Sequence, residues 1–315
     1  MAPFRRRTTA LVLIAIAATA LAACSAESAT AGGATSTSSA TASESGIWDS
    51  STVHSFSVTY DQDDYDGLID AYLNSEDKEW ISATVVIDGT TFENVGLKLK
   101  GNSTLRSLSE DADADLSSQN PQDLPWIIRL DKYVDGQNLD GSTEFVVRAN
   151  NSETSLNEAV SLDLLGQAGL ATEPAIAVRF SAQGSDEVLR LVVENPDDEW
   201  MQTALGDGLL YKADADGDYS YRGDEESDYD DVFDQEGGDD DLTPLISFLK
   251  WINESDDETF ASELSEHLDV NEFATYLAFQ DLVGNSDDID GPGNNSYLYY
   301  DPDTGLMTVV NWDLN

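Results

Sequence analysis

Three oxygen-bearing side chains near the C-terminal end of the sequence have a spacing that suits a divalent cation. Asp290 and Asn295 lie five positions apart in a loop rich in glycine and asparagine. Asp313 lies eighteen residues after Asn295, behind an apolar segment with the pattern of a strand. Because Mg²⁺ and Mn²⁺ prefer carboxylate, carbonyl and water oxygens, the spacing predicts that Asn295 and Asp313 hold such an ion. The alternative is an Asx-rich turn between a helix and a hairpin, since these residue types also dominate turns.

The order of these side chains is also typical of phosphoryl transfer. That chemistry uses an acid that orients the nucleophile, then an asparagine and an aspartate on the metal. Asp290 is therefore the predicted catalytic acid. Asp287 and Asp288 crowd it in the sequence, and either is an alternative for the role.

The charge balance excludes one large class of partners. Sixty-two acidic residues face fifteen basic ones, which gives a net charge of −47. Such a chain repels the phosphate backbone, so nucleic acid is not an expected partner. With two histidines and one cysteine, a zinc site is not expected either.

The scarce basic residues concentrate in one part of the sequence. Six of them fall between positions 98 and 148: Lys98, Lys100, Arg106, Arg129, Lys132 and Arg148. Residues 96–103 alternate as a strand, which places Lys98 and Lys100 on the same face. Cations that share a strand face suit an anionic ligand such as a triphosphate, although surface salt bridges to the surrounding acids are the alternative.

The N-terminal segment has the features of an export signal. Three arginines, Arg5–Arg7, precede an apolar stretch and a small-residue site that ends at Cys24. Residues 1–23 are therefore predicted to be a cleaved signal peptide. A cysteine at the cleavage point resembles the bacterial lipobox, so Cys24 is the expected lipidation site; an ordinary signal with an incidental cysteine is the alternative. Residues 24–46 contain mostly Ser, Thr, Ala and Gly and are the expected tether of an extracytoplasmic protein that contacts the membrane only through its lipid.

The remaining residues, 47–315, are predicted to form one α+β domain, mainly an antiparallel sheet followed by helices. The spacing of apolar residues predicts the individual strands and helices. Strands are expected at 54–60, 83–87, 92–100, 127–130, 145–148, 176–180 and 188–193, and helices at 65–74, 156–169, 242–253, 258–267 and 270–283. Residues 213–241 hold fourteen acids against one base and are predicted to be a solvated loop.

Several ordered motifs resemble the CotH kinase family. They comprise residues 96–103, 125–131, 156–169, 191–194, 210–212, 294–299 and 312–315. The resemblance spans roughly residues 50–315. It implies an atypical protein-kinase-like, two-lobed fold that binds ATP with Mg²⁺ or Mn²⁺. It also implies phosphorylation of Ser or Thr on secreted or surface proteins.

The resemblance implies roles for particular residues. Arg129 occupies the strand position of the phosphate-pairing lysine of kinases, and Glu158 would be its ion-pair partner. Lys98, Lys100 and Glu194 would contact the nucleotide. Arginine in place of lysine departs from the pattern, and this exchange is not conservative at a site that demands precise geometry. The chain also stops at Asn315, where the family continues, so an incomplete C-terminal lobe is expected.

A rival function belongs to a different class. An extracytoplasmic protein has no obvious supply of ATP, and similarity of fold does not establish chemistry. The alternative is therefore a non-catalytic, kinase-like module that displays a surface for binding or adhesion.

The export signal generates a first prediction. The mature protein should begin at Cys24, and this residue should carry lipid, because the cysteine lies at the expected cleavage point. Mass spectrometry of the N-terminal peptide from the native membrane fraction measures both properties. An unmodified Cys24, or a peptide that still contains Leu21, would contradict the prediction.

Overall fold

The structure is a computed structural model that describes residues 46–102, 104–106, 117–149, 154–214, 218–293 and 295–314. The predicted signal peptide, Cys24 and the predicted tether up to residue 45 lie outside these residues. Among the described helices, none has both the length and the apolar character needed to cross a bilayer.

Seven strands close into a barrel. They are β1 (His54–Tyr60), β2 (Ile81–Ile87), β3 (Thr90–Leu99), β4 (Trp126–Arg129), β5 (Glu144–Val147), β6 (Ala175–Ala182) and β7 (Val188–Glu194). Their order around the barrel is β1-β2-β3-β4-β5-β7-β6. Neighbouring strands are antiparallel except where β6 runs parallel to β1 and closes the ring. Closure pairs every strand on both sides, so this sheet has no open edge.

Three neighbouring strands of the barrel are buried on both faces. In β5, Val147 points into the barrel interior, whereas Val146 joins a second hydrophobic cluster outside it. In β4, Ile128 and Ile127 divide in the same way. This double burial explains why β4, β5 and β7 read as continuous apolar runs and do not alternate apolar with polar residues.

The second cluster lies beneath a four-stranded sheet and the C-terminal helices. The strands are β8 (Leu209–Ala213), β9 (Phe233–Gly237), β10 (Ser296–Asp301) and β11 (Leu306–Asn311), in the order β11-β10-β8-β9. Within the described residues, the α-helices whose bounds are defined are α1 (Gln62–Ser75), α2 (Asn157–Gln167), α3 (Asp198–Ala204), α4 (Thr243–Glu254), α5 (Asp257–His267) and α6 (Val270–Val283). The α+β class and the strand-rich start of the domain are therefore as predicted.

Two features of the fold differ from the sequence prediction. Closure of the barrel was not predicted, because it depends on the pairing of β1 with β6 more than 100 residues away. The interpretation of residues 213–241 as a loop was wrong where β9 pairs with β8. The strand β9 has no alternation of apolar and polar residues that would predict it, since Phe233 is its one large apolar residue. It forms because its backbone hydrogen-bonds to the edge of β8.

The end of α6 fixes where the acidic loop begins. Asp269 caps the start of the helix by accepting hydrogen bonds from the amides of Asn271 at 3.0 Å and Glu272 at 2.9 Å. Gly284 ends it with a φ of 69°, a left-handed conformation that favours glycine. The acidic loop therefore leaves α6 at a defined point, and β10 begins at Ser296.

Arg190 in β7 ties one rim of the barrel together from within. It is 1 % exposed, and its Nε donates to the carbonyl oxygen of Arg148 at 2.6 Å. Its two terminal nitrogens donate to the carbonyl oxygens of Gln122 and of Leu124, the latter at 3.0 Å. Burial lowers the pKa of Arg190 to about 10. The guanidinium therefore joins three backbone carbonyls on this rim: one that follows β5 and two from the segment before β4.

Arg190→Met should destabilise the domain strongly. The substitution keeps much of the apolar volume but leaves buried carbonyls unsatisfied, at about 1–3 kcal/mol for each group. We expect a loss of about 3 kcal/mol or more in the free energy of unfolding, measured by urea denaturation. Arg179→Met on β6 is the matched control. Its guanidinium lies 3.7 Å from Glu187 at an exposed position, so its loss should stay within about 0.5 kcal/mol. Equal effects of the two substitutions would show that Arg190 does not hold this rim.

Candidate active site

Two basic residues, Lys100 and Arg148, lie at the same edge of the barrel. Because β3 and β5 are both antiparallel to β4, they end at the same edge. Lys100 follows β3 and Arg148 follows β5, directly after the last residue of each strand. Backbone hydrogen bonds fix both positions, from Lys100 to the carbonyl of Pro125 at 3.1 Å and from Arg148 to the carbonyl of Leu191 at 2.9 Å.

Arg148 is the centre of a buried ion-pair network. Its Nη2 lies 2.6 Å from Oε1 of Glu158, and its Nη1 lies 3.2 Å from Oδ1 of Asp313. The guanidinium carbon is 4.7 Å from the ring centroid of Trp312. Burial opposes the charge of Arg148, but Glu158 and Asp313 outweigh it and raise the pKa of Arg148. The network joins the barrel, the first turn of α2 and the segment after β11.

The predicted pairing of Arg129 with Glu158 was wrong. Arg129 Nε lies 2.7 Å from Asp131 and its Nη1 lies 3.1 Å from Glu144. These contacts raise the pKa of Arg129, chiefly through the hydrogen bond to Asp131. The reason is strand direction. Arg129 ends β4 at the barrel edge where β5 begins, whereas Arg148 follows β5 at the other edge, where α2 and Asp313 lie.

Lys100 extends over the outer face of the barrel. Its Nζ donates to Oδ1 of Asn195 at 3.2 Å and lies 5.5 Å from the ring centroid of Trp312. Burial lowers the pKa of Lys100. Lys98 lies on the same face of β3, two residues earlier, with its Nζ 4.6 Å from the ring of Trp80. The sequence prediction that both lysines share a face is confirmed.

A cavity of about 120 Å³ separates these cations from the loop between α6 and β10. On the barrel side it is lined by Lys100, Gly101, Asn102, Thr104, Pro125, Val146, Val147, Arg148 and Ala149. On the other side it is lined by Asn285, Asp287, Asn295 and Asp313. Cations and oxygen ligands therefore face one another across one small space.

The three aspartates proposed as catalytic acids occupy different environments. Asp287 lines the cavity, and its Oδ2 accepts a hydrogen bond from Nδ2 of Asn295 at 2.7 Å. Asp288 is 4 % exposed, accepts from the amide of Asp290 at 3.1 Å, and has a pKa raised by burial. Neither Asp288 nor Asp290 is among the described residues that line the cavity. The structure thus brings Asp287, and not Asp290, together with the predicted metal ligands.

Buried amides hold the acidic loop against the second sheet. Asn285 Nδ2 donates to Oε1 of Gln280 at 2.9 Å, and Gln280 Nε2 donates to Oδ1 of Asn311 at 2.7 Å. Gln280 and Asn311 are 1 % and 2 % exposed. Asn285 Oδ1 in turn accepts from the amide of Asp287 at 3.1 Å. Sequence reasoning did not identify this relay. The feature of the sequence that could have indicated it is Gln280, a glutamine among the apolar residues of α6.

The predicted metal ligands, Asn295 and Asp313, both line the cavity. The amide of Asn295 points its nitrogen at Asp287, which leaves Oδ1 as a possible ligand. Asp313 has a φ of 61°, an uncommon left-handed conformation for a residue other than glycine. Within the described residues, no three His, Cys, Asp or Glu side chains cluster as a metal site. A cation would therefore need the amide oxygens and water as well as the two carboxylates, a donor set that suits Mg²⁺ or Mn²⁺.

Glu194, a predicted nucleotide contact, does not line the cavity. It pairs with Phe145 at the barrel edge where β5 begins, whereas the cavity lies where β5 ends. Its Oε1 accepts from the hydroxyl of Ser142 at 2.6 Å, and that hydroxyl accepts from the indole nitrogen of Trp48 at 2.7 Å. Burial raises the pKa of Glu194. The following residue, Asn195, is the one that reaches Lys100, and sequence reasoning did not single it out.

Glu173, which precedes β6, is a buried carboxyl close to the ion-pair network. It is 3 % exposed, and its carboxyl oxygens make no side-chain hydrogen bond to described residues. Burial raises the pKa of Glu173 to about 8, and the charge of Glu158 adds to the effect. At neutral pH the carboxyl is therefore largely protonated. The neutral form of Glu173 places no second carboxylate charge beside Glu158.

Comparison with known proteins identifies the family. A family model described as CotH kinase protein matches residues 97–315, more than half of the chain. The chain therefore belongs to the CotH kinase family, and the resemblance seen in its motifs is confirmed. No curated protein matches the chain.

Glu173 should make stability depend on pH. Its pKa is about 8 in the folded protein and near the ordinary 4.5 when exposed. Between these values the folded state binds more protons, so this contribution to stability is lost as pH rises. Glu173→Gln removes the titration. Urea denaturation measures the free energy of unfolding of both proteins. Because only the wild type loses this contribution, the variant should gain stability relative to the wild type between pH 4.5 and pH 8. A difference that does not change with pH would contradict the elevated pKa.

Proposed function

We propose that this member of the CotH kinase family is an ATP-dependent protein kinase that phosphorylates Ser or Thr of extracytoplasmic proteins. Family membership supports the kinase class. The observation that carries the proposal is the cavity in which Lys100 and Arg148 face Asp287, Asn295 and Asp313. A pure binding module has no evident need for cations and hard oxygen ligands across so small a space.

The barrel side of the cavity supplies groups for phosphate. Arg148 contributes a buried positive charge. Its terminal nitrogens pair with Glu158 and Asp313, and its buried Nε makes no hydrogen bond to described residues. Lys100 contributes a point charge at the end of β3, and the turn at Gly101 and Asn102 follows immediately. Charge-assisted hydrogen bonds from such groups are among the strongest that proteins make to phosphate oxygens.

The loop side supplies groups for a divalent cation. Asp313 and Asn295 present a carboxylate and an amide oxygen, and Asp287 adds a second carboxylate. When bound, Mg²⁺ or Mn²⁺ would neutralise charge on the phosphates. Arg148 holds Asp313 in place through their ion pair.

Asp287 is best placed to accept the proton of the acceptor hydroxyl. It lines the cavity, and its hydrogen bond to Asn295 orients the carboxylate. As the hydroxyl oxygen bonds to the transferred phosphorus and the bond to ADP breaks, the hydroxyl proton passes to Asp287. Phosphoryl transfer depends mainly on positioning and charge neutralisation, so the base is expected to matter less than the metal ligands.

We also propose that the two hydrophobic clusters correspond to the two lobes of an atypical kinase. One cluster fills the barrel, and the other lies under the four-stranded sheet and its helices. The cavity takes residues from the barrel edge and from the loop after α6, which is the arrangement expected of a nucleotide site between lobes. Lipidation at Cys24, inferred from the sequence alone, would place the domain where secreted and surface proteins are its substrates.

Substitutions in the cavity test the function. Asp313→Asn should abolish both ATP-dependent stabilisation and transfer, because the carboxylate serves the cation and Arg148. Asp287→Asn should keep nucleotide binding and lose about 100-fold or more in turnover, the usual contribution of a general base. Asp290→Asn is the matched control and should keep most of its turnover, since Asp290 does not line the cavity.

Two measurements on the full-length protein separate these effects. Thermal shift with ATP and Mn²⁺ reports binding, since a ligand at 100 times its dissociation constant adds about 2.7 kcal/mol. Transfer of labelled phosphate to casein and to Ser and Thr peptides reports turnover. If Asp290→Asn lowers turnover more than Asp287→Asn does, Asp290 is the base, as its five-residue spacing from Asn295 predicts. If the wild type binds no nucleotide with either metal, the kinase proposal fails and the non-catalytic binding module replaces it.

A further inference from the structure

A group of cations continues from the cavity along the outer face of the barrel. Gly96, Lys98 and Lys100 alternate on this face of β3. Lys98 Nζ and Lys132 Nζ lie 4.6 Å and 5.1 Å from the ring centroid of Trp80. Lys78 lies beside them: its Nζ donates to Oδ1 of Asn102, and the charge of Lys98 lowers its pKa further after burial. We call Lys78, Trp80, Lys98 and Lys132 the lysine–tryptophan surface.

Close packing at Gly96 builds this surface. A Cβ atom at Gly96 would lie 2.7 Å from Cβ of Lys132 and 2.8 Å from Cε3 of Trp80. Such distances are sterically forbidden, so only glycine lets Trp80 and Lys132 lie against β3. The position of the two residues is therefore a property of the fold and not of a flexible surface chain.

Within the described residues, none of the three lysines of this surface forms an ion pair, although the charges of Glu144, Glu236 and Asp234 act on Lys98. Within the part of the chain that the structure describes, the ion pairs use His54, Arg129, Arg148, Arg179, Arg222 and Lys250. An aromatic ring attracts a cation without cancelling its charge. Burial lowers the pKa of Lys98, and carboxylates such as Glu144 only partly compensate. In a chain with 62 acids and 15 bases, lysines that stay out of ion pairs are available to an outside anion.

We propose that the lysine–tryptophan surface binds an anionic segment of the protein substrate, with carboxylate or phosphate groups a few residues from the acceptor hydroxyl. The proposal rests on the proposed kinase function. A strand advances about 3.3 Å per residue, so Lys98 lies about 7 Å from the level of Lys100 at the cavity. An extended peptide whose hydroxyl enters the cavity therefore brings side chains two to four residues away to Lys98 and Lys132.

The lysine–tryptophan surface lies outside the lining of the cavity. Lys78, Trp80, Lys98 and Lys132 are not among the described residues that line the cavity. The net charge of −47 does not prevent the binding of an anion either. At physiological ionic strength the Debye length is about 8 Å, so an anionic side chain responds mainly to the lysines next to it.

Direct binding of labelled peptides to the full-length protein tests the proposal without relying on catalysis. Three peptides of equal length carry a central serine flanked by aspartate, by phosphoserine or by asparagine. Fluorescence anisotropy without nucleotide measures each dissociation constant. The aspartate and phosphoserine peptides should bind more tightly than the asparagine peptide, and their relative affinity distinguishes acidic from prephosphorylated substrates.

Two lysine substitutions complete the test. Lys132→Gln should weaken binding of the anionic peptides about five-fold, which corresponds to about 1 kcal/mol. Lys250→Gln is the matched control, because Lys250 Nζ already pairs with Asp224 at 3.0 Å. It should leave these affinities unchanged. Circular dichroism verifies that both variants are folded.

Three outcomes would overturn the proposal. They are equal affinity for all three peptides, equal weakening by Lys250→Gln, and displacement of the anionic peptide by ATP, which would assign the surface to the nucleotide. A protein that binds the anionic peptides as expected but transfers no phosphate would contradict the proposed kinase function while supporting this surface.

Discussion

The structure depends on the burial of one positive charge, that of Arg148. A cation with 8 % of its surface exposed is costly unless carboxylates surround it, and removing one partner of a buried pair typically costs about 3–5 kcal/mol. Glu158 and Asp313 supply those carboxylates from α2 and from the segment after β11. The barrel, the helix and the C-terminal hairpin must therefore come together around this residue. Arg190 holds the carbonyl of Arg148 from the other side, so both the backbone and the side chain of Arg148 are fixed.

The same network defines the electrostatics of the cavity. Arg148 and Lys100 both lie over Trp312, at 4.7 Å and 5.5 Å from its ring. An indole attracts a cation without cancelling its charge. The charge of Lys100, whose Nζ donates to the neutral amide of Asn195, is therefore not offset by an ion pair to described residues. Burial favours the protonated form of Glu173 near neutral pH, so this carboxyl adds no further negative charge beside Glu158 and Asp313. Local arrangement, and not net charge, decides which ligands this site attracts.

The acidic loop shows how backbone capping and buried amides prepare a site. Gly284 ends α6, and the relay from Asn285 through Gln280 to Asn311 links the loop to β11. The carboxylate of Asp287 is then held by Asn295. Because hydrogen bonds join Asn311 to Gln280, Gln280 to Asn285 and Asn295 to Asp287, the oxygen atoms that face the cavity can be positioned before any ligand binds.

Local patterns in the sequence determined most of the elements and the residues that compete for chemical roles. The strand β1, the helices α4 to α6, and the shared face of Lys98 and Lys100 follow from periodicity, because each depends on neighbours within a few residues. The family resemblance rests on ordered motifs and needs no knowledge of packing. Asn295 and Asp313 were proposed as metal ligands from spacing; the structure places both at the cavity, and their role stays a prediction.

Only the tertiary structure decided which of these residues meet. Barrel closure pairs strands more than 100 residues apart, and the pairing of Glu158 with Arg148 instead of Arg129 follows from the direction of β4 and β5. Asp287 instead of Asp290 reaches the cavity because the loop folds back on itself through Asn295. Spacing along a loop does not fix direction in space, since each residue adds two free backbone dihedrals until packing selects one path.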